Sequence, residues 1–237
     1  MKTSFKLLSG LIIIVSLLSC NFSGVVGSKN VIKQNREITD NFEAVKVSTG
    51  IDLVITQGSD KKLIVEADDN IIDLLITEVK DGVLKIYFNK NVSRVKSKKV
   101  YLTMSKINSI TATSGASAEN KEELKGGKIN LSASSGAEID LILNYDKIEC
   151  SASSGSDVDI KGQCPIVSLD ASSGSGINTK ELKSEVANAN TSSGADINLL
   201  VSEKITANAS SGGSINYYGN PKEKNITKSS GGSINNK

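Results

Sequence analysis

A Ser-Ser-Gly tripeptide, or a close variant of it, returns seven times in the second half of this chain at a nearly constant interval. Its glycines are Gly115, Gly136, Gly155, Gly174, Gly194, Gly212 and Gly231. Successive spacings are 21, 19, 19, 20, 18 and 19 residues. A fixed period of this size is the mark of a solenoid, in which every repeat is one coil stacked on the last. Glycine and serine interrupt each repeat, so no apolar stripe of helical period survives.

The residues between the corners alternate. Three, five and seven positions before the glycine stand Ala133, Leu131 and Ile129, then Ala152, Cys150 and Ile148, then Ala171, Leu169 and Val167. Polar residues separate them, which is the period of a strand with one buried face. Three positions after the glycine an apolar residue returns, as Ile139, Val158, Ile177, Ile197, Ile215 and Ile234. Each repeat therefore reads as strand, corner, strand and a looser return. Glycine permits a positive φ at the bend. The alanine nearest the corner suits a place where two walls converge. The expected architecture is all-β, a parallel β-helix of ~19-residue coils, with six stacking intervals of ~4.8 Å giving a rod of roughly 30 Å.

The front of the chain is of another kind. Lys2 and Lys6 precede an apolar run from Leu7 to Leu18, and Leu17-Leu18-Ser19-Cys20 follows the pattern of a bacterial lipobox. Residues 1–19 are expected to be a lipoprotein signal peptide, with Cys20 the lipidated residue and the membrane a partner through it. Lys2 and Lys6 account for the whole of the +2 formal charge. The remainder is neutral, which argues against nucleic acid as a partner. Arg94, Lys96, Lys98 and Lys99 form a local basic cluster, read as a charged edge strand with Arg94, Lys96 and Lys98 on one face. A docking patch for anionic lipid or glycan is the other reading of that cluster. Cys150 falls in an inward column and reads as a small buried hydrophobe, while Cys164 precedes Pro165. Export permits a disulfide between them, and spacing leaves the pairing open.

Residues 20–35 are small and polar and read as a flexible tether. Residues 36–110 read as a broader, less regular β part that caps the solenoid of residues 111–237, either an irregular β-helix or a small sandwich. Strands are expected over residues 42–47, 52–56, 62–67, 83–88, 100–104 and 110–113. Asp81-Gly82 is a hairpin signal, residues 71–79 fit either a short helix or a buried strand, and Ser48-Thr49-Gly50 looks like an early corner. The far end is thin and exposed, so a homo-oligomer through that end is an expectation.

These features together resemble a known family. The Ser-Ser-Gly corners, Gly176-Ile177-Asn178, and the order Arg36, Phe42, Val45, Gly50-Ile51-Asp52, Gln57-Gly58 are similar to the head GIN domain of auto-transporter adhesins, common in exported proteins of Bacteroidetes. The resemblance covers about residues 36–235. It implies a right-handed β-helix and a location in the cell envelope, at the outer membrane on its periplasmic or surface face. It carries no site residues to transfer.

Function must then be read from the outward columns. Glu138, Asp140, Asp157, Asp159, Asn178, Asp196, Asn198 and Asn216 lie two or four positions past a glycine and should share one face as an acidic and polar stripe. Two carboxyl groups across a cleft would suit glycoside hydrolysis, so a carbohydrate-active enzyme is one alternative. The chain has neither histidine nor tryptophan, which removes the commonest general base and the commonest platform for a sugar ring. Asp140, Asp157 and Asp159 are oxygen donors suited to calcium, yet the nonapeptide of calcium-binding β-rolls is missing. The reading is a non-catalytic, cofactor-free, lipid-anchored envelope module that presents its surface to a glycan or protein. A periplasmic envelope-stress component is a further alternative.

Overall fold

The computed structural model describes residues 24–237, so Cys20 and the signal segment lie outside the described residues. The eight corners decide the rest. In each, two consecutive residues have positive φ, from Thr49 (58°) and Gly50 (70°) through Ser135 (55°) and Gly136 (69°) to Ser230 (46°) and Gly231 (77°). In six of the eight the residue after the glycine donates its N–H to the carbonyl of the residue before the pair, as Ala137 does to Ser134 (3.3 Å) and Gly213 to Ser210 (2.8 Å). Two positive φ values inside such a bond define a type I′ turn. The bend therefore asks a left-handed conformation of the middle serine as well as of the glycine.

The segments flanking each corner bond to neighbouring coils in parallel. Ile129–Ser134 pairs with Ile148–Ser153 in unbroken register, and Glu138–Asn144 pairs with Asp157–Gln163. The corners join in a line of their own, because each glycine N–H donates to the middle serine carbonyl of the next coil, Gly136 to Ser154 at 3.1 Å and Gly194 to Ser211 at 3.2 Å. Gly50 makes the same bond to Ser114 at 3.0 Å, so Ser48-Thr49-Gly50 is the first corner of the stack. Seven intervals of ~4.8 Å give a rod of roughly 34 Å.

Inside, the two walls form a wedge. Ala133 and Ala137 fill its narrow edge, Leu131 and Ile139 the next layer, and Ile129, Leu141 and Leu143 the wider part, all buried. Two coils place serine at the narrow edge. There Ser156 Oγ donates to the carbonyl of Ala133 (2.9 Å) and Ser175 Oγ to that of Ala152 (2.9 Å), so the buried hydroxyls are satisfied. Thr191 replaces alanine in the facing column, and Gly213 answers it, since a Cβ there would lie 2.7 Å from Thr191 Oγ1. Cys150 sits between Leu131 and Leu169 in this core. Cys150 and Cys164 are both buried and unpaired. Burial, with the Asp170 carboxylate nearby, pushes the Cys150 thiol up to about 12. Burial raises Cys164 to about 11 as well, and its thiol donates to the Ile166 carbonyl at 3.1 Å.

The N-terminal part extends both walls. On the corner's leading wall, Ala44–Val47 pairs in parallel with Ser109–Thr113 on one side and Val83–Phe88 on the other. Leu75–Lys80 closes that edge as an antiparallel hairpin through Asp81-Gly82. The stretch of open type at 71–79 is thus a short 3-10 turn, Ile72–Leu74, followed by strand. On the trailing wall, Asp52–Gln57 is followed by Lys98–Met104, then antiparallel Lys62–Asp68 and Val31–Arg36. The result is a sandwich of two sheets that runs without a break into the coils, over one contiguous core.

Two expectations are corrected here. Residues 25–36 are not a tether. Val25–Val26 pairs with Val92–Ser93, and Val31–Arg36 forms the outermost strand of the trailing wall. Their valines and isoleucine gain strand partners far along the chain, which local composition does not show. The basic cluster is not one face of an edge strand either. Arg94 has φ 50° and lies with Lys96 in a loop, whereas Lys98 and Lys99 begin an interior strand paired on both sides.

Both corrections trace to Asp68. Its buried carboxylate accepts the backbone N–H groups of Lys29 (2.9 Å), Lys96 (2.9 Å) and Ser97 (3.0 Å), binding the first segment and the 94–97 loop together. Burial alone would raise its pKa, but these donors outweigh that and hold it below the ordinary aspartate value. Because the folded value is the lower one, the stabilisation is complete above the unfolded value of about 4 and is lost as pH falls through the folded value. Asp68→Asn sets an amide donor against these donors and is expected to cost about 2 kcal/mol at neutral pH. In thermal melts, the gap between wild type and variant should close as the solution is acidified. A gap independent of pH would show that the charge is not what holds the clasp.

Candidate functional site

The stripe expected on the trailing wall is assembled by register. Glu138, Asp157, Gly176, Asp196 and Ser214 stand opposite one another in one column. Asp140, Asp159, Asn178, Asn198 and Asn216 form the second. Glu138, Asp140, Asp157 and Asp196 are exposed, and Asp159, Asn178, Asn198 and Asn216 half-buried. All project from the same sheet face, with a shallow groove of about 480 Å³ between the columns. Gly176 leaves a gap in the first column that the Asp157 carboxylate overhangs, for a Cβ there would lie 2.7 Å from Asp157 Oδ1. Lys161 is the cation on this patch, 4.0 Å from Asp159 Oδ1.

The amides of the second column form ladders with a direction. Asn178 Nδ2 donates to Asp159 Oδ2 (2.7 Å), Asn216 Nδ2 to Asn198 Oδ1 (3.2 Å) and Asn235 Nδ2 to Asn216 Oδ1 (3.3 Å). Each of these three amides hands its proton toward the N-terminal end; the Asn178 bond ends on the Asp159 carboxylate, and the run from Asn235 through Asn216 ends on Asn198 Oδ1. A second ladder on the leading wall does the same, with Asn208 Nδ2 on Asn190 Oδ1 (2.9 Å) and Asn190 Nδ2 on Asp170 Oδ1 (2.7 Å). Its signal was present in the sequence, since Asp170, Asn190 and Asn208 each stand four residues before a corner glycine. The ladders engage the amides of Asn178, Asn216 and Asn235, so what the trailing face offers a ligand is mainly carboxylate acceptors, Glu138 with Asp157 and Asp140 with Asp159 on adjacent coils ~4.8 Å apart, and Asp196 two coils beyond Asp157.

The carboxylates stand on one wall and do not oppose one another across a cleft, as a pair of glycosidase acids would. Among the described residues no group of three or more His, Cys, Asp or Glu side chains is arranged to hold a metal ion. Asp140 and Asp159 lie in register and Asp157 in the neighbouring column, and the three do not converge. Tyr217 and Tyr218 divide as alternation requires, Tyr217 closing the core and Tyr218 half-buried under Lys180 Nζ, 5.4 Å from the ring centroid.

A larger groove of about 700 Å³ runs along the return edge, where Gln163, Pro165, Lys183, Glu185 and Asn220 are among its walls. It arises where the coil register slips between Thr179 and Val186. The clue in the sequence was a pair of glycines outside the corner series, Gly162 and Gly219, both with positive φ.

Comparison with known proteins agrees with this geometry. The family model described as putative auto-transporter adhesin, head GIN domain, matches residues 41–221. A solved putative adhesin of Bacteroides fragilis is similar over 90% of this chain and 100% of its own, with 23% identity and a TM-score of 0.83. A putative lipid binding protein of Parabacteroides distasonis shares 19% identity over 90% of this chain and 99% of its own, with a TM-score of 0.74. A putative adhesin of Parabacteroides merdae shares 17% identity over 91% and 100%, with a TM-score of 0.71. No curated protein matches significantly.

Proposed function

From the premise that this chain belongs to the family of the auto-transporter adhesin head GIN domain, we propose that it is a non-catalytic attachment module, lipid-anchored at Cys20 in the outer membrane. Its rod presents the acidic columns to a polyhydroxylated glycan or a protein surface. The observation that carries the reading is register. Glu138, Asp157 and Asp196, and beside them Asp140 and Asp159, repeat one chemistry coil after coil on a flat face. Such a surface gains affinity by many equivalent contacts rather than by one deep pocket.

Binding to a glycan array, followed by incubation of each bound glycan and analysis for released product, tests this directly. Retention without turnover is expected. The combined variant Glu138→Gln, Asp140→Asn, Asp157→Asn should lose about tenfold in affinity for every charged hydrogen bond removed. Product release would sink the non-catalytic reading, and unchanged binding by the variant would move the contact off this face. Protease treatment of intact cells adds the location, since a fully protected chain is incompatible with attachment at the surface.

A further inference from the structure

The chain leaves the described fold at Gly24 through a collar of basic side chains. Val25 N–H donates to the Asn91 carbonyl at 2.8 Å and Gly27 N–H to that of Ser93 at 3.0 Å, so residues 24–29 run alongside residues 91–96. Lys29 Nζ bonds the Arg94 carbonyl, closing the pair. Lys29, Lys90, Arg94 and Lys96 are all exposed around this point, and Val26 is 52% exposed between them. The nearby acids are largely engaged. Asp68 is buried on backbone N–H groups, Asp69 is held by Ser28 and Asn30, and Glu66 pairs with Lys33 at 3.1 Å.

We infer that this collar is a docking surface for an anionic lipid bilayer, which the cap of the rod touches directly. The inference rests on the proposed anchor at Cys20. Gly24 comes four residues after Cys20, a reach of at most about 14 Å. With strand structure beginning at Val25, the cap is held close to the bilayer, where charges act within a Debye length of about 8–10 Å. Basic side chains at that distance attract anionic headgroups, each contributing roughly fivefold to binding. The stack of coils starts at the cap, so docking the collar directs the far end of the acidic columns away from the membrane.

The test uses a chain beginning at Asn21, which keeps every described strand and lacks the anchor. It is sedimented with phosphatidylcholine vesicles, with and without phosphatidylglycerol. Binding only to the anionic vesicles is expected. Lys90→Gln, Arg94→Gln, Lys96→Gln together should weaken it about a hundredfold, with Lys29 left in place because its ammonium holds the loop. Lys224→Gln, Lys228→Gln, Lys237→Gln at the far end makes the same change in net charge and should leave binding intact. Equal loss in both triple variants, equal binding to both vesicles, or no binding to either would overturn the inference. Labelling of the full chain with palmitate, and its loss in Cys20→Ala, tests the anchor separately. Failure of glycan or protein binding would not touch the collar.

Discussion

Gly162→Ala is expected to destabilise the protein by about 3–5 kcal/mol, while Gly155→Ala, seven residues earlier at a corner, costs about 1 kcal/mol. The two glycines have different reasons to be there. At Gly155 φ is 67° and nothing lies within 4 Å of an added Cβ. Ser154 beside it already holds φ 54° as an L-residue, so alanine meets only the modest strain of a left-handed conformation. Gly162 has φ 110°, beyond the left-handed well open to L-residues. Its added Cβ would overlap the Leu143 carbonyl oxygen of the preceding coil. Backbone cannot swing aside there without breaking the ladder between residues 138–144 and 157–163. Urea denaturation of the two variants measures the difference directly. Equal effects would mean that the return edge yields more easily than this packing allows.

Tyr145→Ala should cost about 4 kcal/mol, and Tyr145→Phe about 1–2 kcal/mol. Tyr145 is among the largest fully buried side chains, and its hydroxyl donates to the Ile107 carbonyl at 2.9 Å. It thereby ties the return of one coil to the segment entering the solenoid. Phenylalanine keeps the ring and orphans that carbonyl, whereas alanine also opens a cavity. Gly126 is coupled to the same ring, because a Cβ there would collide with it. Gly126→Ala should therefore be damaging in the wild type and nearly neutral beside Tyr145→Ala, a non-additivity that a double-mutant cycle reads. Burial pushes the phenol up to about 12. Its folded value is the higher one, so the stabilisation is complete below the unfolded value of about 10 and is lost as pH rises through the folded value. Tyr145→Phe should remove that part of the alkaline sensitivity. Additive costs at positions 126 and 145 would refute the contact.

The candidate site divides along similar lines. Columns of Glu138 with Asp157, and of Asp140 with Asp159, were legible because a period of nineteen residues with two-residue alternation fixes both coil and face. The collar was legible in part: Arg94 and Lys96 stood in the basic cluster, with a docking patch for anionic lipid as one reading of it, while Lys29 and Lys90 carried no such signal. Its pieces, residues 24–29 and 90–96, are some sixty residues apart and meet through backbone bonds between Val25–Val26 and Val92–Ser93 and through the buried Asp68 carboxylate, which gathers N–H groups from both. The second amide ladder was legible too, since Asp170, Asn190 and Asn208 recur four residues before their corner glycines.

Sequence alone determined the coil, its period, the corner and the inward and outward columns. Those follow from φ preferences and alternation within some twenty residues, and the same local rule is printed again in every repeat. Tertiary structure alone decided that Val25–Val26 and Val31–Arg36 are strands, that the cap is a sandwich continuous with the coils, and that Gly162 matters more than the conspicuous corner glycines. Each of these depends on a backbone or carboxylate group brought from a distant part of the chain, and a distant partner leaves no periodic trace in the residues it constrains.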